Sequence, residues 1–261
     1  MILHAPAKIN LCLRVGPLRD DGFHRVTTLF AALGLHDTLE LEPAARTVVE
    51  GFPDDTLIAR ALEALGETAH VRVEKRIPVA AGLGGGSSDA AAVLRALPGE
   101  RSVNELYEIA RSLGSDVPFF LSGLEVALAT GRGDVLRPLP EFPRGLGVLL
   151  VPDAEGLSTA DVYAASEPNP IYPAVQGDLV RGVHIVRSAR DVAGLVANDL
   201  EAAACALRPS IADVLAAVRD AGALAAAVSG SGPTVFGLFA DEAAAEAAAA
   251  RIDGSIATRT M

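Results

Sequence analysis

Alternating apolar and polar positions predict β-strands in the first part of the chain. Residues 9–15 read INLCLRV, with an apolar side chain at every second position from Ile9 to Val15. A period of two places these side chains on one face of a half-buried strand, and it places Lys8 and Asn10 together on the other face. Similar patterns predict further strands at residues 26–33, 37–43, 69–77 and 146–152.

Apolar residues that recur every three or four positions predict helices between these strands. Residues 54–65 have this spacing, with an aspartate as candidate N-cap at the start. In residues 102–114, Ser102 and Glu105 have the spacing of a capping box, and Gly114 is a suitable C-terminal stop. Further helices are expected at residues 90–97, 188–206, 209–221 and 241–251.

Strands and helices alternate along the whole chain, which favours an α+β fold built from packed layers. A hairpin is predicted around residues 131–134, which read GRGD. Residues 140–145, PEFPRG, are rich in proline and glycine, and we place a domain boundary there. The expected organisation is an N-terminal domain of residues 1–145 and a C-terminal domain of residues 146–261.

Composition narrows the class of protein. The 261 residues carry a formal net charge of -11, which argues against nucleic acid as a partner because such binding depends on Lys and Arg that neutralise phosphates. No stretch reaches the ~18 apolar residues of a membrane span, and the N-terminus lacks a signal-peptide pattern. Cys12 and Cys205 lack metal-ligand spacing and are expected to be buried free thiols. We expect a cytoplasmic protein that binds neither nucleic acid nor membrane.

The stretch PVAAGLGGGSSDAAA, residues 78–92, connects a predicted strand to a predicted helix. Free N–H groups and the positive dipole end bind anions at a helix N-terminus, and glycines let a phosphate approach the backbone. The pattern favours polyphosphate binding, and a flexible turn whose serines cap the helix is the alternative. A dinucleotide fingerprint fails at Ser87, where it needs glycine, and a P-loop would need a lysine that is absent here.

Three other stretches offer candidate chemistry. Lys8 is one of two lysines beside twenty arginines, and its ammonium is either a functional point charge or a solvated surface group. Asp116 precedes the apolar VPFF, either as a carboxylate at a partly dry pocket or as a turn former. A second glycine–serine turn is either a simple hairpin or a source of phosphate contacts from Ser229, Gly230, Ser231 and Gly232.

Together these stretches resemble the GHMP kinase superfamily, which includes galactokinase, homoserine kinase and mevalonate kinase. PVAAGLGGGSSDAA is similar to the family's phosphate loop, P-x-x-x-G-L-G-S-S-A-A, with an extra glycine. In one branch of the family, similar segments occur in the same order: APAKINLCL, DDGFHRVTTLF, GSDVPFF, NDLE and SGSGPTVFG. The resemblance covers residues 5–239. It implies a two-domain fold with an N-terminal α/β ATP-binding domain and a C-terminal ferredoxin-like α+β domain.

The resemblance also implies ATP-dependent phosphorylation of a small alcohol, with Mg²⁺ as cofactor. In this branch the acceptor is the 2-hydroxyl of a cytidine diphosphate-linked methylerythritol, an isoprenoid precursor. By the same resemblance, Lys8 and Asp116 are the catalytic pair. The ATP-binding residues implied are Pro78, Val79, Ala80, Ala81, Gly82, Leu83, Gly84, Gly85, Gly86, Ser87 and Ser88. The substrate-binding residues implied are Asn10, Phe23, His24 and Tyr163.

Two positions depart from the family pattern. Phe23 stands where tyrosine is common, and Thr56 stands where an asparagine contacts the nucleotide. Phe23 and His24 have an alternative interpretation as a core aromatic and a solvated loop residue. The alternatives for function are another kinase of the superfamily, such as homoserine or mevalonate kinase, a nucleotide-binding module without catalysis, and, least well matched, a dinucleotide oxidoreductase. We expect a monomer or a weak homodimer.

Overall fold

The computed structural model describes residues 1–52, 56–153 and 155–261. Its strands are β1 (Ile2–Leu18), β2 (His24–Pro43), β3 (Val48–Glu50), β4 (Ala69–Glu74), β5 (Val126–Thr130), β6 (Val135–Pro138), β7 (Gly147–Val151), β8 (Ala197–Asn198), β9 (Ala225–Val228), β10 (Val235–Phe239) and β11 (Ile256–Arg259). Its helices are α1 (Thr56–Leu65), α2 (Gly85–Ala96), α3 (Val103–Leu113), α4 (Val117–Ser122), α5 (Thr159–Ala165), α6 (Tyr172–Gly182), α7 (Ala189–Ala193), α8 (Glu201–Leu207), α9 (Ser210–Asp220) and α10 (Glu242–Ala249).

Non-contiguous parts of the chain form two compact units. The first unit consists of Met1–Ala7, Leu35–Val79 and Gly84–Leu124. The second consists of Lys8–Gly34, Ala80–Leu83 and Glu125–Met261. The long strands β1 and β2 each belong partly to one unit and partly to the other. Because the second unit includes all of Glu125–Met261, the predicted boundary near residue 145 falls within it.

The first unit combines a small sheet with α1 to α4. The second part of β2 pairs antiparallel with β4, and β4 pairs parallel with β3. Helix α2 packs against α1 and α4, which its run of buried alanines permits. The predicted capping box of α3 is confirmed, because the Ser102 side chain accepts from the Glu105 backbone N–H and Gly114 ends the helix.

The second unit contains the predicted hairpin, in which β5 pairs with β6, and the first part of β2 pairs with β5. Its separate antiparallel sheet has the strand order β11-β7-β10-β9. With helices between β7 and β9 and with α10 between β10 and β11, this is the order of a ferredoxin-like βαββαβ unit. The α+β fold is confirmed.

Two sequence predictions need correction. The strand predicted at 9–15 extends over the whole of β1, and its polar face is not solvated, because Lys8 and Asn10 are only 3% and 4% exposed. The helix predicted at 188–206 is wrong, since β8 separates α7 from α8. The Asn198 side chain accepts from the Leu200 N–H, and such local bonds compete with a helix.

Other predictions concern single residues. The aspartate N-cap predicted before α1 falls on Asp54 or Asp55, which lie outside the described residues. Both cysteines are free thiols, as expected, although only Cys12 is fully buried. Burial, with a smaller contribution from Asp199, raises the pKa of the Cys12 thiol to about 11, which keeps it protonated near neutral pH. Among the described helices, none combines the length and apolar character that crossing a bilayer requires.

Candidate active site

The glycine loop adopts backbone conformations that side chains disfavour. Its φ angles are +52° at Ala80, +75° at Gly82 and +73° at Gly84, all in the left-handed region. A Cβ atom at Gly82 would also overlap the carbonyl oxygen of Ser229. Glycine at position 82 is therefore required by both the backbone angle and a close approach within the second unit.

The loop ends in the first turn of α2, as the sequence predicts. Gly84 is the N-cap, and the following residues, Gly85 to Ser88, form the first turn. The first N–H groups of a helix have no partner within the helix and attract anions. Ser88 adds a buried hydroxyl whose oxygen has no hydrogen-bond partner within the described part of the chain. This end of α2 has the donors that a phosphate group needs.

Lys8 lies inside the second unit, not at the surface. Its Nζ donates to Asn10 Oδ1 at 2.7 Å and to the carbonyl oxygen of Gly82 at 2.9 Å. The Lys8 N–H donates to Leu83 O at 2.9 Å, so backbone and side chain both hold the middle of the glycine loop. The interpretation of Lys8 as a solvated surface group is wrong.

Asn10 is fixed by a second layer of hydrogen bonds. Its Nδ2 donates to Thr28 Oγ1 at 2.7 Å, and that hydroxyl donates to the carbonyl oxygen of Cys12 at 2.8 Å. Because Nδ2 is the donor to Thr28, the amide oxygen of Asn10 faces the Lys8 ammonium. This orientation orders the polar face of β1.

The second glycine–serine turn packs against the same loop residue. Ser229 Oγ donates to the Gly82 carbonyl oxygen at 3.1 Å. Gly230 has φ +61°, and a Cβ there would lie 3.5 Å from Lys8 Nζ and 3.4 Å from Asn10 Oδ1. Ser231 is bonded elsewhere, to Thr159 Oγ1 at 2.9 Å. The second unit thus brings Lys8, Asn10, Gly82 and this turn together.

Asp116 lies in the first unit, directly before α4. It occupies the N-cap position, but its side chain makes no capping hydrogen bond. Its carbonyl oxygen accepts from the Phe119 N–H at 3.1 Å, and Pro118 lies in the first turn of α4. The backbone of Asp116 therefore starts the helix, and its half-buried carboxylate is not used as a helix cap. The pairing of Asp116 with Lys8 stays a prediction.

Two of the predicted base-binding rings, those of His24 and Tyr163, lie side by side in the second unit. The His24 and Tyr163 ring centroids are 5.5 Å apart, and His24 Nδ1 lies 2.9 Å from the carbonyl oxygen of Gly16. Phe23 is 52% exposed, and the guanidinium carbon of Arg132 lies 5.0 Å from its ring centroid. Phe23 is not a core aromatic, and His24 is not a freely solvated side chain.

Sequence reasoning missed several residues that position this site. Thr28 orients Asn10, Arg132 lies over Phe23, and Asn198 donates to the carbonyl oxygens of Val228 and Gly230 at 2.8 and 2.7 Å. Asn198 belongs to the NDLE segment, whose resemblance to the family implies no role for this asparagine. Thr28 and Arg132 had no signal, since an isolated threonine or arginine has no distinctive spacing.

No group of three or more His, Cys, Asp or Glu side chains within residues 1–52, 56–153 and 155–261 could hold a metal ion. A magnesium ion bound beside the glycine loop would therefore take most of its ligands from nucleotide phosphates and water, as Mg²⁺ commonly does. The buried Ser88 hydroxyl at the start of α2 is an oxygen donor of the kind that Mg²⁺ accepts.

Comparison with protein families gives two matches, on either side of residue 145. The model for the GHMP kinases N terminal domain matches residues 56–124, and the model for the GHMP kinases C terminal domain matches residues 185–255. A solved structure of 4-(cytidine 5'-diphospho)-2C-methyl-D-erythritol kinase superposes with a TM-score of 0.77 at 35% identity, covering 100% of both chains. A homoserine kinase from Cytophaga hutchinsonii, 21% identical with a TM-score of 0.70 and coverage of 100% and 94%, shares the fold.

Curated relatives extend the likeness over nearly the whole chain. A 4-diphosphocytidyl-2-C-methyl-D-erythritol kinase from Paracoccus denitrificans is 43% identical, covering 96% of this chain and 91% of its own length. The kinase of the same name from Pelotomaculum thermopropionicum is also 43% identical, with coverage of 95% and 92%. The chain therefore belongs to the GHMP kinases and, within them, to the family of the 4-diphosphocytidyl-2-C-methyl-D-erythritol kinases.

Proposed function

We propose that the chain transfers the γ-phosphoryl group of ATP to the 2-hydroxyl of 4-diphosphocytidyl-2-C-methyl-D-erythritol, a step in isoprenoid precursor synthesis. Full-length likeness to kinases of that name supports the substrate. The observation in the chain itself that carries the proposal is the orientation of His24, whose ring lies beside Tyr163 and contacts the Gly16 carbonyl oxygen. We further propose that the reaction takes place in the cytoplasm.

His24 has the hydrogen-bonding pattern that cytosine needs. A carbonyl oxygen only accepts, so the contact with Gly16 O assigns the proton to Nδ1 and leaves Nε2 as an acceptor in the neutral ring. The exocyclic amino group of cytosine is a donor and suits this acceptor. Uracil has a carbonyl oxygen at the same place, which would face the Nε2 lone pair and leave both groups unpaired.

The aromatic side chains supply stacking surfaces for the base. Phe23 is largely exposed, with the Arg132 guanidinium over its ring, and Tyr163 lies beside His24. We assign Phe23 and Tyr163 to contact with the cytosine faces, which is worth ~1–3 kcal/mol per stacked base. Phenylalanine in place of tyrosine keeps the stacking face and removes only a hydroxyl.

The glycine loop is assigned to the phosphates of ATP. The left-handed turns at Ala80, Gly82 and Gly84 bring the chain into the first turn of α2, where N–H groups and the helix dipole favour negative charge. Residues 78–88 thus receive the polyphosphate, and we assign Ser229 to Gly232 to a further phosphate contact. When bound, Mg²⁺ would neutralise negative charge on the phosphate oxygens, and we propose the Ser88 hydroxyl oxygen as its ligand from the protein.

We assign the chemical step to Lys8, Asn10 and Asp116. The proton of the 2-hydroxyl passes to the Asp116 carboxylate, the oxygen bonds to the γ-phosphorus, and the bridging P–O bond breaks to release ADP. Lys8 stabilises the negative charge on the group in transfer, since a preorganised cation needs little rearrangement during the reaction. Asn10 contacts the acceptor, with Thr28 fixing the direction of its amide.

A panel of acceptors tests the proposal. We expect ADP release with the cytidine diphosphate-linked methylerythritol, and none above background with homoserine or mevalonate. The uridine analogue should have a kcat/KM about ten- to a hundred-fold lower, because one unpaired polar contact costs ~1–3 kcal/mol. Equal kcat/KM for the two nucleoside forms would remove the base-reading role from His24. Turnover of mevalonate or homoserine alone would assign the chain to another GHMP activity.

A further inference from the structure

A buried carboxylate holds the backbone that enters the glycine loop. Asp37, in the second half of β2, is completely buried. Its Oδ1 accepts from the Arg76 N–H at 2.6 Å and from the Ile77 N–H at 2.8 Å, the two residues directly before Pro78. The stem that leads into the loop is therefore fixed by one side chain from a distant part of the sequence.

Lys75 connects this stem to the stem that leaves the loop. Its Nζ donates to Asp37 Oδ2 at 2.6 Å and to Asp89 Oδ2 at 2.8 Å. Asp89 lies in α2, four residues after Gly85, and it is also completely buried. Burial alone lowers the pKa of Lys75, but the two carboxylates outweigh it and raise the pKa, so the group stays charged. One ammonium thus bridges the two ends of the loop.

Gly85 shows how closely this cluster approaches the start of α2. A Cβ atom there would lie 3.2 Å from Ile77 Cγ2, 3.3 Å from Lys75 Nζ and 3.4 Å from Asp37 Oδ2. Real Cβ atoms seldom approach their neighbours so closely. The sequence explains glycine at this position by the room that a phosphate needs. The close contact with the ion cluster is a second reason.

We propose that Lys75, Asp37 and Asp89 form an ionic clasp that sets the position of the N–H groups at the start of α2 and so determines ATP affinity. The inference rests on the proposed role of the loop in binding ATP. These three are positioning residues, because they act on the nucleotide through the loop. Buried ion groups are costly to desolvate and contribute little net stability, whereas their directional contacts fix geometry.

The variant Asp89→Ala tests the clasp, because Lys75 keeps Asp37 as a one-to-one partner and no buried charge is left uncompensated. Loss of a negative charge near an anion site raises ATP affinity if the effect is electrostatic only. Loss of the bridge lowers the affinity if the clasp positions the loop. We expect the KM for ATP and the Kd for a non-hydrolysable ATP analogue to rise about tenfold, with the KM for the acceptor unchanged. Asp89→Asn should recover most of the affinity, since its amide oxygen still accepts from Lys75.

Two control variants separate positioning from general damage. Glu108→Ala removes an exposed ion pair with Arg111 on α3, and Ile58→Val loosens the buried face of α1; neither should change the KM for ATP. Unchanged or higher ATP affinity in Asp89→Ala would overturn the clasp, as would the same rise in Ile58→Val. A wild-type chain that binds no ATP analogue would instead overturn the proposed function of the loop.

Discussion

Two glycine-rich turns are held in this chain by different chemistry. The stems of the loop at residues 78–84 are joined by buried charges, Lys75 with Asp37 and Asp89. The turn at residues 229–232 is held by an amide, since Asn198 Nδ2 donates to the carbonyl oxygens on either side of Ser229. Glu201 adds one bond, accepting from the Val228 N–H at 3.1 Å.

The difference determines how each turn fails. Removal of Lys75, the cation that both buried carboxylates share, leaves uncompensated charge in a poorly solvating interior, which costs several kcal/mol. Removal of an amide leaves neutral carbonyl oxygens without a donor, which costs less and stays local. The stability of the loop at residues 78–84 also depends on pH, whereas the Asn198 amide has no proton to lose in the accessible range.

The largest expected effect is on catalysis, with one variant for each unit. Lys8→Ala, in the second unit beside the amide-held turn, and Asp116→Asn, in the first unit with the ionic clasp, should each lower kcat by ~10²–10⁴. ATP affinity should stay within a few-fold, because neither variant removes a member of the clasp that positions the N–H groups at the start of α2. Steady-state kinetics and calorimetry measure the two quantities. Near wild-type turnover in Asp116→Asn would assign the proton acceptor to another group.

The next effect is on stability at the ion-held loop. Lys75→Met leaves Asp37 and Asp89 buried without their common cation, and it should lower the free energy of unfolding by about 3–5 kcal/mol. Urea unfolding measures the loss, and Lys75→Arg, which keeps the charge, should restore most of it. A loss below about 1 kcal/mol would show that the two carboxylates do not need the cation.

A smaller effect is expected at the amide-held turn. Asn198→Leu removes the donor to two carbonyl oxygens and should cost about 1–3 kcal/mol, less than Lys75→Met. It should also lower kcat, because this turn packs on the Gly82 carbonyl that Lys8 contacts. Asn169→Ala is the control, since its amide donates to Asp199 instead. An equal fall in kcat in Asn169→Ala would show that the effect does not come from the turn at residues 229–232.

The smallest expected effect is a pH dependence confined to the ion-held loop. The carboxylates raise the pKa of Lys75 above its ordinary value of 10.5, against the opposing effect of burial. A raised folded-state pKa contributes stability that is complete below the unfolded-state pKa and is lost as pH rises through the folded-state value. The free energies of unfolding of wild type and Lys75→Arg should therefore change in the same way with pH up to about pH 10. Above that pH only wild type should lose this contribution, because arginine stays charged. Parallel curves through pH 11 would contradict the assignment.

The same comparison shows what the sequence reveals and what it hides. The glycine loop and the helix after it were predictable, because consecutive glycines and helical spacing are local signals. The clasp was not, since Asp37, Lys75 and Asp89 are far apart in sequence and each one looks like an ordinary surface charge. Only the pairing of β2 with β4 and the direction of α2 bring them together.

The sequence pattern also could not predict how deeply the polar face of β1 is buried. The alternation in β1 placed Lys8 and Asn10 on one face, which is correct, but a polar face normally indicates solvent. Here hydrogen bonds from Lys8 to Gly82 O and from Asn10 to Thr28 satisfy the polar atoms inside the unit. Those partners come from other segments, so only the folded chain reveals them.

The position of the transferred phosphoryl group tests the central claim most directly. The proposed acceptor carbon, C2, carries a methyl group and no hydrogen, unlike C1 and C3 of the same sugar alcohol. After incubation with ATP and 4-diphosphocytidyl-2-C-methyl-D-erythritol, a proton-coupled ³¹P spectrum should show ADP and one new phosphomonoester signal that is not split. A new signal split by neighbouring hydrogens would place the phosphate on another hydroxyl, and inorganic phosphate alone would contradict the kinase activity.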